Sequence, residues 1–294
     1  MRIEQLMRPD LVDDWGILEL QNCILNIAKY IDSFCAENGI DYCIMGGSAL
    51  GAVRHGGFIP WDDDLDIFMT PENYKKFRQL FEEKGNKNDF YLQELGRKNQ
   101  ELGYAKLRLN NSTFIEEVVK DMDIHHGVYV DIMMLNNFPD GYLLRKWIVF
   151  WAYYIEIKGL ANKKYYKRGR IFNLLLKPLG WLPKRFLIDY AFNQVCKYNG
   201  QLCENYFHFY PGLPLYRSIY PQKLFNDNYY ADFETIKLRV PGKVKDYLTL
   251  LFGDYMKIPD LKTIRFHQHT RDWSPSIPFQ RKKKGIFEDE KNIW

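Results

Sequence analysis

The stretch that decides the fold is residues 45–69, MGGSALGAVRHGGFIPWDDDLDIFM. A short apolar segment, Asp41–Met45, leads into it and has the length and composition of a strand. The glycines of Gly46–Ser48 interrupt that strand, and we expect the serine to cap a short helix that runs to Val53. The apolar run Leu65–Met69 then predicts a second strand. The order strand, glycine turn, helix, strand indicates an α/β (α+β) chain.

Three aspartates are set into the predicted strands. Asp64 and Asp66 are two residues apart, so their carboxylates point to the same face of an extended chain. Asp131 is the one acid in the apolar run Val128–Leu135. Carboxylates that lie side by side repel unless a cation joins them, and oxygen ligands of this kind suit Mg²⁺, with Mn²⁺ as the alternative. The pattern predicts a metal site for phosphoryl transfer, whereas an exposed acidic loop is the plainer alternative.

The glycine turn adds a second functional signal. Backbone N–H groups at the start of a helix, together with the hydroxyl of Ser48, can bind a phosphate, and the absence of a side chain at Gly47 allows close approach. Arg54 on the same helix is a candidate for phosphate contact or a solvated surface cation. Asp62 and Asp63 are candidates for supporting the metal ligands. His55 is a candidate base, with a structural role as the alternative.

The flanking sequence predicts further elements. Helical spacing of apolar residues predicts an amphipathic helix over 18–37, ended by Gly39. Thr70 and Pro71 predict the N-cap and first turn of a helix that extends to about Lys84. Two strand-like segments flank Asn110 and Asn111, which predicts a hairpin of residues 104–110 with 113–117.

The composition changes near residue 140. We therefore expect a catalytic core over 1–140 and a mainly helical region over 141–294 that completes the site. Aromatic and basic residues in 142–188 predict contact with the inner face of a cell membrane, and buried helices with basic ends are the alternative.

Charge and cysteine content exclude some classes of protein. A net charge of +4 argues against nucleic acid as a main partner. Five cysteines without a CxxC pair and without an amino-terminal apolar segment predict reduced thiols and a cytoplasmic setting. Cys196, Cys203 and His208 are weak candidates for a zinc site.

A long motif connects these signals to a known family. Residues 46–55 followed by 58–67 resemble the signature of the LicD family, which is similar to the fukutin-related proteins. Val130-Asp131-Ile132 and the segment Phe252–Met256 with Pro259 resemble other motifs of that family. The resemblance implies a nucleotidyltransferase fold, a mixed sheet flanked by helices. It also implies that Asp64, Asp66 and Asp131 hold the metal and that Gly47 and Ser48 contact phosphate.

The resemblance extends over 40–140 and returns near 241–270, but it is thin between them. One departure follows the third acid, where Asn136, Asn137 and Pro139 replace the family's usual acidic residue and proline. His267, close to Arg265 and Arg271, is a further candidate for substrate binding.

The function that the resemblance implies is transfer of phosphocholine, or a related substituted phosphate. The donor would be CDP-choline or another CDP-linked compound, and CMP would leave. The acceptor would be a lipid-linked glycan such as a precursor of teichoic acid or lipopolysaccharide. A choline donor calls for aromatic rings around its cation, and Trp61 and Tyr129 are the candidates. A metal-dependent glycosyltransferase and a non-catalytic membrane scaffold are the alternatives.

Overall fold

The computed structural model describes residues 15–94, 104–116, 119–120, 122–162, 184–208, 218–259 and 272–279, with the backbone alone for 156–162 and 184–185. The helices are α1 Leu18–Asn38, α2 Gly46–His55, α3 Pro71–Lys84, α4 Tyr142–Asn162, α5 Lys184–Val195 and α6 Val244–Phe252. The strands are β1 Cys43–Ile44, β2 Asp66–Met69, β3 Phe90–Gln93, β4 Ala105–Leu109, β5 Thr113–Phe114, β6 Tyr129–Phe138, β7 Asn205–His208, β8 Ile219–Pro221, β9 Tyr229–Phe233, β10 Ile236–Val240 and β11 Trp273–Ser274.

A mixed sheet of seven strands forms the centre of the fold, and helices flank it. Five strands lie in the order β1-β2-β6-β4-β3, and β7 continues from β6 to β8. Strands β2 and β6 are parallel, whereas the other neighbours in this sheet are antiparallel. The mixed α/β fold class predicted from the sequence is confirmed.

The predicted first and third helices are present with their end signals. Helix α1 buries the predicted apolar stripe apart from Leu18, and Gly39 ends it in the left-handed region at φ 57°. Only glycine adopts that conformation without strain. Helix α3 begins with Pro71 after Thr70, whose hydroxyl accepts a hydrogen bond from the Asn73 N–H.

The prediction that Ser48 caps α2 is wrong. The helix begins two residues earlier, at Gly46, and extends to His55 with Met45 at the N-cap position. The glycine pair therefore lies in the first turn of the helix instead of ahead of it, and Gly46 takes φ 51°, a left-handed conformation that favours glycine. Ser48 is therefore free to contact the neighbouring strand.

The predicted hairpin around Asn110 and Asn111 is also wrong. The turn exists, and Asn111 takes φ 58°. However, β4 pairs with β3 and β6, whereas β5 pairs with β11 near the carboxyl end of the described chain. The two strands separate after the turn because each finds a longer-range partner.

Two clusters of buried apolar residues stabilise the fold. The larger lies around the main sheet and includes residues from α1 and α6. The smaller joins α4 and α5 to the outer part of the sheet through Phe138 and Phe207. The boundary expected near residue 140 stays a prediction. None of the helices within the described ranges is long and apolar enough to cross a membrane.

Candidate active site

Neighbouring parallel strands bring the predicted acids together. Asp66 of β2 is the register partner of Asp131 of β6, and adjacent strands lie about 4.8 Å apart. Asp62, Asp64 and Asp66 are partly exposed, whereas the residues between them are buried. This alternation places the three on one side of an extended segment. We call Asp62, Asp64, Asp66 and Asp131 the acidic edge.

The acidic edge concentrates negative charge. Asp66 Oδ1 is shielded from solvent and has no hydrogen-bond partner among the described residues. Burial raises the pKa of Asp66 well above its usual value, and the carboxylates of Asp64, Asp131 and Asp62 raise it further. A buried carboxylate oxygen without a donor is costly unless a cation or a ligand meets it.

A buried lysine faces the same group of acids. Lys106 of β4 is almost completely buried, and its Nζ lies 2.9 Å from Asp131 Oδ1 and 3.5 Å from Glu116 Oε1. Burial raises the pKa of Asp131 to about 6, although the ammonium of Lys106 acts in the opposite direction. Arg108, two residues further along β4, is buried as well and lies 3.4 Å from the other Glu116 oxygen.

The sequence analysis missed Lys106 and Arg108. Their signal was the alternation Ala105-Lys106-Leu107-Arg108-Leu109, which ordinarily indicates a strand with one solvated face. In this fold both faces of β4 are covered, so the basic face meets acids and not water. The centre of the site is consequently a mixed cluster of carboxylates and cations.

Helix α2 packs its first turn against the acids. The Ser48 hydroxyl accepts a hydrogen bond from the Asp66 backbone N–H at 2.9 Å, and it can still donate one. A Cβ on Gly47 would lie 2.8 Å from Asp62 Oδ2, so a side chain there would displace the carboxylate. The N–H groups of Gly47 and Ser48 lie in the first turn and have no partner within the helix.

Residues near the carboxyl end complete this helix. The Gly46 N–H donates to the Tyr247 hydroxyl of α6 at 3.0 Å, and Arg54 donates to the Tyr255 carbonyl at 2.9 Å. Tyr255 belongs to the second motif of the family resemblance. The two motifs, distant in sequence, are therefore in direct contact.

Arg54 is placed as a structural residue. It is buried, and its Nε contacts His55 Nε2 at 2.9 Å while the guanidinium also binds the Tyr255 carbonyl. Burial lowers its pKa, and the carboxylate of Asp62 opposes that effect. These contacts use the guanidinium to join α2 to the carboxyl-terminal motif, so phosphate contact by Arg54 stays a prediction that the geometry does not favour.

The two aromatic rings expected around a choline cation already pack against other side chains. Trp61 is buried, with its ring centroid 6.0 Å from that of Trp15 and 6.2 Å from that of His55. Lys106 Nζ lies 3.3 Å from the centre of the Tyr129 ring. Among the described residues, neither ring presents an open face to a donor in this arrangement.

The remaining candidates lie apart from the acidic edge or outside the described chain. His267, with Arg265 and Arg271, lies outside the described residues. Cys196 Sγ contacts Asn136 Oδ1, whereas His208 is buried beside Met133 and Phe68. Within the described ranges, no three His, Cys, Asp or Glu side chains converge closely enough to hold a metal. Neither the predicted zinc site nor the predicted magnesium site is therefore preformed there.

The donor set nevertheless fits a hard divalent cation. Several carboxylates share one edge of the sheet, and the buried Asp66 Oδ1 lacks a partner among the described residues. Oxygen donors of this kind suit Mg²⁺ or Mn²⁺. The sheet that carries them, with a glycine-initiated helix beside it, defines the chain as a nucleotidyltransferase-type α/β protein.

Comparison with known families identifies the domain further. Residues 39–158 match the family model described as LicD/FKTN/FKRP, nucleotidyltransferase domain. Residues 39–158 therefore carry a LicD family domain, and the resemblance seen in the motifs of that segment is confirmed. The matched segment contains the acidic edge, α2 and Lys106.

Individual relatives differ in how much of the chain they match. Lipopolysaccharide cholinephosphotransferase LicD of Haemophilus influenzae is 26% identical over 267 residues, which is 82% of this chain and 91% of that protein. Ribitol 5-phosphate transferase FKRP of Homo sapiens is 42% identical over 53 residues, 18% of this chain and 11% of that protein. An uncharacterized protein of Rickettsia prowazekii, RP689, is 27% identical over 124 residues, 40% of this chain and 41% of its own length.

Proposed function

We propose that this protein transfers phosphocholine, or a related substituted phosphate, from a CDP-linked donor to a hydroxyl of a cell-surface glycan precursor. The similarity to the cholinephosphotransferase of Haemophilus influenzae, which spans most of both chains, carries this proposal. The acceptor hydroxyl attacks the phosphorus that bears the choline. The bond from that phosphorus to the bridging oxygen breaks, and CMP leaves with the electron pair.

The charges of the site support a diphosphate substrate. The N–H groups of Gly47 and Ser48 stand at the start of α2, beside Asp66, where they can donate to phosphate oxygens. Lys106 supplies a buried positive charge on the other side of Asp131. The phosphates would therefore meet donors from α2 while the carboxylates face them from the sheet.

Asp64, Asp66 and Asp131 are the residues that would hold Mg²⁺, or Mn²⁺ in its place. When bound, the ion would offset the negative charge of the diphosphate and of the carboxylates. The chain's own residues position the reaction. Ser48 ties α2 to β2 through the Asp66 N–H, and Lys106 fixes the orientation of Asp131. Asp131 is the candidate to accept the proton of the attacking hydroxyl.

A donor panel tests the proposal. The purified chain is incubated with CDP-choline, CDP-ribitol or CDP-glycerol, with Mg²⁺ and a lipopolysaccharide or teichoic acid oligomer that lacks phosphate substituents. Mass spectrometry then follows CMP and the acceptor. We expect CMP in equal amount to an acceptor that is heavier by one phosphocholine.

Other outcomes separate the parts of the proposal. Transfer from CDP-ribitol alone would keep the reaction class and replace the donor, in line with the human relative, which is a ribitol 5-phosphate transferase. In a parallel incubation with a UDP-sugar or a GDP-sugar, release of UDP or GDP with transfer of the sugar would overturn the proposal in favour of a glycosyltransferase. Asp232→Asn is the matched control for any variant that removes a carboxylate from the acidic edge. Asp232 is an exposed acid, and Lys237 lies 3.8 Å from it.

A further inference from the structure

Helix α4 is apolar on two opposite faces. Ile148, Ala152 and Ile155 are buried in the smaller apolar cluster. On the opposite face Leu143, Trp147, Phe150 and Tyr153 recur at helical spacing, and all four are exposed. A surface helix ordinarily carries polar residues on its outer face. The outer face of α4 is therefore built for a partner of low polarity.

The exposed apolar surface continues onto α5. Phe186 and Tyr190 are exposed there, one turn apart. The Tyr190 ring lies 5.0 Å from the Trp151 ring of α4, and Trp147 donates to Gln194 of α5 at 3.0 Å. We call Leu143, Trp147, Phe150, Tyr153, Phe186 and Tyr190 the aromatic face. The contacts of Trp147 and Tyr190 join the two helices, so their exposed apolar side chains adjoin.

Charge at the edge of the aromatic face indicates what covers it. Lys146 is exposed on α4, and its Nζ lies 4.4 Å from the centre of the Tyr142 ring. The sequence that connects α4 to α5, residues 163–183, contains six Lys or Arg residues and no Asp or Glu. Of the described acids near this face, Asp140 is paired with Arg145, and the exposed Asp189 of α5 is outnumbered by these cations. A partner of negative charge is consequently favoured.

These observations distinguish a lipid surface from a second copy of this chain. A pair of identical copies would carry two of these basic sequences, and like charges disfavour that association. An anionic bilayer surface attracts Lys and Arg at about 1 kcal/mol each, and Trp and Tyr are favoured at the boundary between head groups and acyl chains. Helix α4 would lie along the bilayer surface, since its described residues are not apolar enough to cross a bilayer.

We infer that the aromatic face of α4 and α5 is a docking surface for an anionic lipid bilayer. This inference goes beyond the proposed function and does not depend on it, because the surface lies apart from the acidic edge and its test requires no substrate. It assigns the exposed apolar side chains of α4 and α5 to one role. Docking would bring the enzyme to membrane-bound molecules.

Vesicle co-sedimentation of the full chain tests the inference. We expect binding to vesicles of phosphatidylcholine mixed with phosphatidylglycerol and little binding to phosphatidylcholine alone. Raising the salt from about 0.01 M to about 0.15 M shortens the Debye length from about 30 Å to about 8 Å and should weaken binding. The triple variant Leu143→Ser, Phe150→Ser, Phe186→Ser should bind at least about ten-fold more weakly.

A matched variant controls for exposed apolar area. Leu143, Phe150 and Phe186 are 76%, 57% and 75% exposed, and Leu202, Leu250 and Ile277, elsewhere on the surface, are 105%, 46% and 61% exposed. The triple serine variant of the second set should bind vesicles like the unaltered protein. Circular dichroism and thermal unfolding of both variants show whether each is folded.

Three results would overturn the inference. Equal weakening by the two triple variants would show that the aromatic face has no special role. Equal binding to neutral and anionic vesicles would remove the charge argument. A dimer in lipid-free solution that the first triple variant alone dissociates, together with no vesicle binding, would assign the face to a second copy of the chain.

Discussion

The acidic edge and the aromatic face place opposite kinds of side chain where a folded protein ordinarily avoids them. At the acidic edge, Asp131 and the Oδ1 atom of Asp66 are shielded from water, as is the neighbouring Lys106. On α4 and α5, aromatic and aliphatic side chains are exposed to it. Each arrangement costs free energy in the isolated chain, and each cost falls when a ligand of matching chemistry binds. The comparison indicates that buried charged groups and exposed apolar groups both mark surfaces where a ligand binds.

The largest effect expected is loss of transfer after removal of a carboxylate from the acidic edge. Asp64→Asn, Asp66→Asn and Asp131→Asn should each lower kcat by about 10²–10³-fold or more. The melting temperature should stay the same or rise for the first two, because a repulsive charge disappears. Near-normal turnover by the Asp66 variant at saturating Mg²⁺, measured as CMP release, would refute the assignment, and Asp232→Asn serves as the control.

Removal of the Lys106 ammonium should destabilise the protein, unlike removal of the ammonium of an exposed lysine. Lys106→Met leaves Asp131 without a buried cation, whereas Glu116 keeps Arg108, and loss of one partner of a buried pair costs about 3–5 kcal/mol. Urea unfolding measures the change. Adding Asp131→Asn to this variant should recover part of the loss. An unchanged midpoint in Lys106→Met would show that water, and not the ion pair, satisfies these acids.

The two faces of α4 should respond differently to the same kind of truncation. Ile148→Ala removes buried side-chain volume and should cost about 2–5 kcal/mol. Leu143→Ala, on the aromatic face, should stay within about 0.5 kcal/mol. Thermal unfolding of both variants without lipid measures the difference. Similar losses for both would mean that the exposed side of the helix is covered in solution.

The smallest effect expected is the contribution of His125 to acid sensitivity. Its Nδ1 accepts the Gly127 N–H, and burial, followed by the charges of Arg108 and His126, lowers its pKa to about 4. A histidine ordinarily titrates near 6.5, so the native state binds fewer protons than the unfolded chain between pH 6.5 and about 4. Stability contributed above pH 6.5 is therefore lost as the pH falls through that window.

His125→Gln should reduce this dependence on pH. Urea midpoints of the variant should change less between pH 7 and pH 5 than those of the unaltered protein. His208, whose pKa is lowered to about 3 by burial, remains in both proteins and contributes equally. A variant with the same or a steeper slope would show that His125 is not a source of the acid sensitivity.

Local signals predicted local structure well. The ends of α1 and α3 followed from Gly39, Thr70 and Pro71, since each acts on backbone groups within one turn. The two acids of the Asp64-Leu65-Asp66 segment followed from the period of an extended chain. Such features depend on residues a few positions away, and the sequence gives the identity of those residues directly.

Features set by distant partners were not predictable from the same patterns. The Asn110–Asn111 turn indicated a hairpin, but β5 pairs with β11 about 160 residues later. Ser48 had the character of a cap, yet its hydroxyl meets the Asp66 N–H. The burial of Lys106 depends on β6 lying beside β4, a pairing that the alternation within β4 could not reveal. Register and burial were decided by the sheet as a whole.

The contacts that complete α2 set a minimum time for the site to form during synthesis. Gly46 and Tyr247 are 201 residues apart, as are Arg54 and Tyr255. At a synthesis rate of about 5–20 residues per second, the first turn of α2 waits about 10–40 s for its partners. Once β6 has been made, the nascent chain holds the acids of β2 and β6 beside a helix α2 whose first turn still lacks Tyr247. Contacts of such long range are also slow to form, so we expect a chain stopped before α6 to be a substrate for chaperones and proteases.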